Sequence, residues 1–186
     1  MRYQPEWVGG KTVGSSRRDA AGRYAAIAAE LQGMYDGFSV LDLGAYAGYF
    51  SLRLADEFGA SVTAVDDSPE LAGTLTRSPH PRVQGVFTKV DAQALAALGT
   101  FDVVLCLSVL HHVTWWRSMI DMLIEQSEIL FVETPDPAET LPAAIAHSPE
   151  IPRVLEAKGG RKIHESPGFD AAFLRPTYVI RQEDSE

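Results

Sequence analysis

A strand, a glycine-containing turn and a helix follow one another closely in the first third of the chain. Residues 40–43 form an apolar run that contains Asp42, the turn carries Gly44 and Gly48, and helical apolar periodicity begins at Phe50. In this order the turn presents backbone N–H groups and the positive end of a helix at the carboxyl edge of a sheet. Open α/β sheets bind nucleotide-like ligands at that edge. The segment therefore predicts a site of this type.

Acidic residues close the next two predicted strands. Residues 61–66 form a second apolar run that ends in Asp66, and Asp67 follows it. A carboxylate in this position can accept hydrogen bonds from both hydroxyls of a ribose. Asp67 is either a second acid behind that contact or a purely solvated one. Asp91 follows the third predicted strand, where it also suits the N-cap of a helix over residues 92–98.

Strands and helices alternate along most of the chain, which favours a parallel sheet with right-handed crossovers. The predicted strands cover residues 39–43, 61–66, 83–90, 101–107 and 128–133. The predicted helices cover residues 17–34, 48–58, 69–76, 92–98, 115–126, 138–147 and 150–158. Ser16 followed by Asp19 resembles a capping box at the start of the first helix.

Three motifs occur in order over about residues 38–135, and together they resemble class I S-adenosylmethionine-dependent methyltransferases. They are Asp42-x-Gly44-x-x-x-Gly48, then Val65-Asp66, then the strand of residues 101–107 with the Leu110-His111-His112-Val113 that follows it. The first loop of the family often carries a further glycine where this chain has Tyr46. A nicotinamide dinucleotide site would favour Gly-x-Gly-x-x-Gly to hold a pyrophosphate, and this loop lacks that pattern.

The resemblance implies a fold and a division of the chain. We expect a single-domain α/β protein with a Rossmann-like, doubly wound, mostly parallel seven-stranded sheet. Residues 161–166 and 173–181 are expected to form the C-terminal antiparallel hairpin. Residues 1–36 are expected to be an N-terminal lid segment and helix, and residues 37–186 the Rossmann-like methyltransferase domain.

The resemblance also implies S-adenosylmethionine as cofactor, with S-adenosylhomocysteine as its product. Asp66 is expected to hold the ribose diol and Asp91 to accept from the adenine amino group, beside the N–H of Ala92. Leu107 and Ser108 end the fourth strand and are expected to border the cofactor. The full set of expected cofactor contacts is Asp42, Gly44, Ala45, Tyr46, Gly48, Tyr49, Asp66, Asp67, Asp91, Ala92, Leu107 and Ser108.

His111 and His112 are expected to face the site of methyl transfer. A neutral imidazole there can take a proton from a substrate hydroxyl as the methyl group is transferred, so both are candidate catalytic residues. The alternative is that they position the loop or contact the substrate. No metal site is expected, because adjacent residues rarely chelate one ion. Of the neighbouring Trp115 and Trp116, only one can face the core of a helix, and Trp115 is assigned to the pocket mouth.

The N-terminal region is basic in an acidic protein. Residues 1–35 hold five basic and three acidic residues, whereas the whole chain has a formal net charge of −9. Lys11, Arg17 and Arg18 are therefore candidates for binding an anionic substrate or the cofactor carboxylate, the alternative being solvated charge. The acidic total argues against nonspecific binding to nucleic acid.

Composition indicates an ordinary globular protein of one domain, with 186 residues of which 46% are hydrophobic and 22% charged. No apolar run approaches the roughly 20 residues of a membrane span, and the N-terminus lacks a signal-peptide core. The single cysteine, Cys106, cannot form an internal disulfide. The expected compartment is the cytoplasm.

The sequence lacks motifs that methyltransferases use to act on nucleobases, and this limits the classes of acceptor molecule. The fourth strand leads into residues 107–110 without the Asn/Asp-Pro-Pro-Tyr/Phe turn that grips a nucleobase amino group, and Cys106 lacks the preceding proline of enzymes that attack pyrimidines. A small-molecule acceptor remains, either a sugar or other hydroxyl, a carboxylate or an amine.

The leading hypothesis for the function is methyl transfer to such an acceptor. The alternatives are a cofactor-binding protein without turnover, such as a regulatory subunit, and a nucleic-acid methyltransferase that depends on a partner.

Overall fold

The structure is a computed structural model that describes residues 3–139, 144, 149–168 and 171–182. The strands are β1 (Glu6–Val8), β2 (Lys11–Val13), β3 (Ser39–Leu43), β4 (Ser61–Val65), β5 (Val83–Val86), β6 (Phe101–Leu107), β7 (Ser127–Glu133), β8 (Arg161–Pro167) and β9 (Leu174–Arg181). The helices are α1 (Ala20–Glu30), α2 (Tyr49–Phe58), α3 (Pro69–Arg77), α4 (Ala92–Ala97), α5 (Trp116–Glu125) and α6 (Ile151–Ala157), with a 3₁₀ turn at Leu110–His112.

Seven strands form one sheet in the order β5-β4-β3-β6-β7-β9-β8. Strands β3 to β7 pair in parallel, whereas β9 lies antiparallel between β7 and β8. Strand order reverses beside β3, because the chain first builds outward to β5 and then returns to add β6. The carboxyl ends of β3 and β6 therefore flank the crevice in which open α/β sheets bind ligands. The expected fold class is confirmed.

The central strands are buried on both faces, which explains why their sequences read as continuous apolar runs rather than as alternations. On one face, Val103 and Leu105 of β6 pack with helices α1 and α2. On the other face, Val104 and Cys106 pack with α5 and α6. Helices cover both faces of the sheet, as in a doubly wound fold.

The N-terminal region differs from the expectation in two ways. Residues 6–13, expected to be irregular, form the antiparallel hairpin β1–β2. Helix α1 begins at Ala20 rather than at residue 17, because Asp19 is its N-cap and accepts a hydrogen bond from the Gly22 N–H at 2.8 Å. The hydroxyl of Ser16 instead donates to backbone carbonyls, so the expected capping box is wrong.

Other element boundaries agree with the expectation within a few residues. The main difference is β5, which ends at Val86 rather than at residue 90. Most of the helix expected over residues 138–147 lies outside the described residues. Within the described ranges, no helix is both long and apolar enough to cross a membrane.

Candidate functional site

A cleft of about 950 Å³ opens at the carboxyl ends of the parallel strands. Its volume lies in the range of small-molecule binding sites, about 300–1,000 Å³. The residues that line it are Tyr3, Gly44, Tyr46, Val65, Asp66, Asp67, Thr88, Lys89, Val90, Asp91, Leu107, Ser108, Val109, His111, His112, Val113, Thr114, Trp115, Ala144 and Arg175.

Gly44 brings the backbone of the first loop against the wall of the cleft. Its φ of +75° favours glycine, and a Cβ atom at this position would lie 2.6 Å from Cγ2 of Val109. The N–H groups of Gly44 and Ala45 both donate to the Val65 carbonyl, at 2.9 and 3.1 Å. The sequence analysis predicted that backbone N–H groups of this loop would face a ligand. The N–H groups of Gly44 and Ala45 instead anchor the loop to β4.

Tyr46 occupies the position where the family pattern that this loop resembles often has a glycine, and its φ is +51°. Its N–H donates to Oδ2 of Asp66 at 2.8 Å. Its ring meets that of Tyr3 edge to face, with 5.6 Å between the centroids. Tyr46 therefore links three segments at the cleft: the first loop, the end of β4 and the N-terminal segment.

Asp66 is held by the backbone on both carboxylate oxygens. Oδ2 accepts from Tyr46, and Oδ1 accepts from the Ser68 N–H at 2.7 Å. These bonds fix the carboxylate at the cleft wall, and each oxygen keeps acceptor capacity for a further donor. Asp67 is exposed at the same wall. Asp91 also lines the cleft while capping α4 through the Ala94 N–H at 2.8 Å, so the capping role is present.

Asp42 lies behind the loop rather than on the wall of the cleft. It is buried and accepts a hydrogen bond from the Ser51 hydroxyl at 2.5 Å. Burial, with a smaller contribution from the charge of Asp66, raises the pKa of Asp42 to about 6. Four further expected contacts lie outside the cleft lining: Ala45 packs on Leu71, Gly48 begins α2, Tyr49 is buried among aromatic rings, and Ala92 is the exposed first residue of α4.

The opposite wall carries the two histidines and Trp115. His111 is buried and His112 is exposed, and their ring centroids are 4.1 Å apart. Trp116 packs into the core beneath α5. Trp115 lines the cleft, so one tryptophan faces the core and the other faces the cleft.

Ser108 turns the chain at the end of β6 with a φ of +62°. Its N–H donates to the Glu133 carbonyl at 3.1 Å, which continues the pairing of β6 with β7. Its hydroxyl accepts a hydrogen bond from Nη1 of Arg175 at 3.3 Å. Leu107 and Ser108 both line the cleft, and they lie between the acidic wall and the histidines.

A buried cluster of charges lies under this end of the cleft, and the sequence analysis did not predict it as a unit. Glu133 at the end of β7 pairs with Arg18 and with Arg23, the latter at 2.6 Å. Arg175 of β9 makes two hydrogen bonds to Glu139, at 2.7 and 2.9 Å. The only sequence signals are a glutamate that closes an apolar strand and an arginine within another. Neither shows which residue pairs with which.

The three basic candidates of the N-terminal region occupy different places. Lys11 is exposed on β2, and Arg17 is exposed ahead of α1. Neither is among the described residues that line the cleft. Arg18 is buried with Glu133 and the Pro167 carbonyl. Among the described residues, the cations that line the cleft are Lys89 and Arg175, and the sequence analysis selected neither.

The wall residues fit an adenosine-type ligand followed by a second molecule. Asp66 and Asp91 supply acceptors at one side of the cleft, over β4 and β5, and the Gly44 backbone comes close because it has no side chain. The histidines, Trp115 and Arg175 lie on the other side, over β6, β7 and β9. One cleft therefore has an acidic side over β4 and β5 and a side with histidine, tryptophan and arginine side chains over β6, β7 and β9.

Comparisons with known proteins agree with this architecture. A family model described as "Methyltransferase domain" matches residues 40–130. The ubiquinone biosynthesis O-methyltransferase, mitochondrial, of Schizosaccharomyces pombe is 37% identical over 98 residues, which is 50% of this chain and 35% of that protein.

Two solved structures share the fold over nearly the whole chain. The bifunctional kinase-methyltransferase WbdD superposes with a TM-score of 0.74 at 22% identity, over 89% of this chain and 40% of that chain. The N-terminal domain of EvdMO1, in the presence of SAH and D-fucose, gives a TM-score of 0.69 at 19% identity, over 98% of this chain and 91% of that one. This chain thus spans less than half the length of the yeast enzyme and of WbdD. Residues 40–130 thus match the methyltransferase-domain family, and the sheet order and the loop between β3 and α2 agree with the fold of class I S-adenosylmethionine-dependent methyltransferases.

Proposed function

We propose that the protein binds S-adenosylmethionine over β3 to β5 and transfers its methyl group to a small-molecule acceptor, with a hydroxyl as the nucleophile. The observation that carries this proposal is the fixed carboxylate of Asp66, held by two backbone N–H groups beside the Gly44 loop. The cofactor supplies an activated methyl group on a sulfonium that leaves as a neutral thioether. The protein's task is to align donor and acceptor and to remove a proton where the acceptor carries one.

The proposed cofactor contacts follow from the cleft wall. Asp66 accepts from the ribose hydroxyls, and Asp91 accepts from the adenine amino group. Leu107 and Ser108 border the methionine end of the cofactor, and Tyr46 covers it. The side chains of Asp42, Ala45 and Tyr49 support the loop from behind.

The proposed acceptor contacts come from the opposite wall. His111, His112 and Trp115 face the same space as Arg175. The printed names of relatives favour a hydroxyl acceptor, since one is an O-methyltransferase and another structure was obtained with a sugar present. A phenol, a hexose, a carboxylic acid and a primary amine are therefore the acceptors to screen with labelled methyl donor.

Calorimetric titration with S-adenosylmethionine and S-adenosylhomocysteine tests the cofactor site. We expect wild-type protein to bind both, and Asp66→Ala to weaken binding by at least about tenfold because two ribose hydrogen bonds are lost. Asp121→Ala is the matched control, since this acid lies on α5 and pairs with Lys158 at the surface. Absence of binding by folded wild-type protein would refute the proposal.

A further inference from the structure

Arg175 brings a permanent charge to the acceptor side of the cleft, where the other described lining residues carry none. Its side chain is only 3% exposed. The guanidinium donates to Glu139 twice, from Nε to Oε2 at 2.7 Å and from Nη2 to Oε1 at 2.9 Å. The third nitrogen, Nη1, donates to the Ser108 hydroxyl at 3.3 Å. One edge of the guanidinium is thus held by a carboxylate, and its remaining nitrogen reaches the turn after β6.

Glu139 is fixed in place by the chain around it. Its side chain is completely buried, and its backbone N–H donates to the Asp136 carbonyl at 3.0 Å. A Cβ atom on Gly168 would lie 2.6 Å from Oε1 of Glu139, so the backbone at Gly168 packs directly against the carboxylate. The carboxylate is therefore confined between Gly168 and Arg175, and it stays with the guanidinium when a ligand enters the cleft.

The hydrogen-bond donors of Arg175 are only partly used. A guanidinium has five N–H donors and no acceptor. Among the described residues, Glu139 and Ser108 accept from three of these donors, which leaves one on Nη1 and one on Nη2. Two such donors can bind an uncharged oxygen, such as that of a hydroxyl group, without any change in the charge of the site.

The charges of the described lining residues oppose an anionic acceptor. The cofactor side has three acids, Asp66, Asp67 and Asp91, against the single cation Lys89. On the acceptor side, Glu139 already balances the charge of Arg175. A carboxylate on the acceptor would therefore be the second anion beside one guanidinium, at a place where burial makes an uncompensated charge costly.

The other two arginines of the buried cluster do not supply the missing cation. Arg18 and Arg23 share Glu133, and the side chains of all three are completely buried. Neither arginine is among the described residues that line the cleft. The guanidinium that an acceptor meets is that of Arg175, together with its own carboxylate.

We propose that Arg175 is a specificity-determining residue that binds the acceptor, and that its pairing with Glu139 restricts the site to acceptors with no negative charge beside the reacting oxygen; this rests on the methyl transfer proposed above. The acceptor class is an uncharged hydroxyl compound, such as a neutral sugar, a polyol or a phenol without an acid group. Arg175 donates to an oxygen of this compound. Glu139 acts through Arg175, as a positioning residue that also cancels its charge.

Binding of two small probes tests the charge selection without turnover. Benzyl alcohol and benzoate share a ring and differ in the charge of one substituent, and S-adenosylhomocysteine can occupy the cofactor side with its uncharged thioether. In NMR titrations of protein saturated with S-adenosylhomocysteine, wild type should bind benzyl alcohol at least about tenfold more tightly than benzoate. Equal affinities, or a preference for benzoate, would overturn the proposal.

Glu139→Gln keeps the size of the side chain and leaves the charge of Arg175 uncompensated. The variant should bind benzoate at least about tenfold more tightly than wild type does, with little change for benzyl alcohol. Glu150→Gln is the matched control, because Glu150 pairs with Arg117 at the surface and both side chains are more than half exposed. The control should keep the wild-type preference. A folded Glu139→Gln protein with wild-type affinity for benzoate would overturn the role of the pair.

A double variant, Glu139→Leu with Arg175→Met, keeps the test open if Glu139→Gln fails to fold. Replacing a buried ion pair by apolar side chains of similar volume is often neutral or stabilising, so this variant is expected to fold. It has no guanidinium to donate to the probe and should bind benzyl alcohol about tenfold more weakly than wild type. Unchanged affinity for benzyl alcohol would show that Arg175 does not bind the acceptor.

Turnover supplies the second readout, with pairs of acceptors that differ in charge: glucose with glucuronate, and salicyl alcohol with salicylate. Wild type should favour the uncharged member of a pair by at least about tenfold in kcat/KM. Glu139→Gln should narrow this preference through a lower KM for the charged member rather than through kcat. A merely structural role of Glu139 would lower turnover of both members alike and leave their ratio unchanged, which would overturn the proposal.

Binding of S-adenosylhomocysteine separates this proposal from the methyl transfer on which it rests. Glu139→Gln and the double variant should bind it within about threefold of wild type by calorimetry, because Asp66 and the Gly44 loop are unaltered. Wild-type protein that binds no cofactor would refute the methyl transfer itself. Normal cofactor binding with equal use of charged and uncharged acceptors would refute only the selection by Arg175 and Glu139.

Discussion

Glu133 is the centre of the buried charge cluster, and its removal should be the most costly single change outside the apolar core. It lies on the same face of β7 as Ile129 and Phe131, so its side chain points into the core beneath α1. Its side chain and those of Arg18 and Arg23 are completely buried, so water cannot replace the lost partner. Burial and the charge of Arg18 lower the pKa of Arg23 only to about 10, so this guanidinium remains charged at neutral pH.

Glu133→Gln keeps the shape of the side chain and removes its charge, which leaves two buried cations without their anion. Breaking one buried pair by removing a partner costs about 3–5 kcal/mol. Since two guanidinium groups share this carboxylate, we expect a loss of about 4–5 kcal/mol. A domain of this size loses about 2–4 °C of Tm per kcal/mol, which gives a drop of roughly 8–20 °C.

Urea and thermal unfolding followed by circular dichroism measure this loss. Glu165→Gln is the matched control, because Glu165 pairs with Lys162 at 2.8 Å with both side chains about half exposed. Exposed pairs contribute about 0–1 kcal/mol. A Glu133→Gln protein within about 1 kcal/mol of wild type would show that the cluster is not electrostatically coupled, and the reasoning on its charges would be wrong.

Two further substitutions test the loop at the cleft. Gly44→Ala should destabilise the protein and weaken S-adenosylhomocysteine binding, because the added Cβ would lie 2.6 Å from Val109 and the backbone φ is +75°. Gly33→Ala is the control: its φ is +91° but nothing lies within 4 Å, so it should carry only the backbone cost of about 1 kcal/mol. Equal losses of stability and of binding in the two variants would refute the steric argument. The raised pKa of Asp42, about 6 against about 3.9 in an unfolded chain, means that the folded protein binds more protons between these values, so stability falls as pH rises through this window. The free energy of unfolding of Asp42→Asn, relative to wild type, should therefore increase by up to about 3 kcal/mol from pH 4 to pH 7 in urea titrations, and no change would contradict the shift.

The sequence predicted most of the fold because apolar periodicity is a local signal. The run over residues 101–107 is apolar on both faces, so its burial and its place in the sheet follow from its own residues. The glycines and Asp66 were recognised because their chemistry is encoded by spacing within one loop and one strand end. The β1–β2 hairpin was missed since its strands are three residues each and β2 is exposed along its whole length.

The substrate side of the cleft was not predictable in the same way. Arg175 reaches Ser108 only because β9 inserts antiparallel between β7 and β8, and this pairing joins segments far apart in the chain. Arg18 was selected as a basic residue near the site, but its partner Glu133 lies more than a hundred residues away. The local sequence pattern predicts whether a residue lies in a strand, a helix or a loop. Which charged side chains come into contact depends on the strand order of the sheet, which the local pattern does not contain.

The charge cluster connects the N-terminal segment to the two strands that end under the acceptor side. Arg18 and Arg23 hold the start of α1 to Glu133 of β7, while Arg175 and Ser108 connect β9 to the turn after β6. Arg175 also pairs with Glu139, so a second buried ion pair lies beside the first. Buried ion pairs therefore fix α1, β7 and β9 at the acceptor side of the cleft, where the removal of one charge leaves its partners buried without compensation.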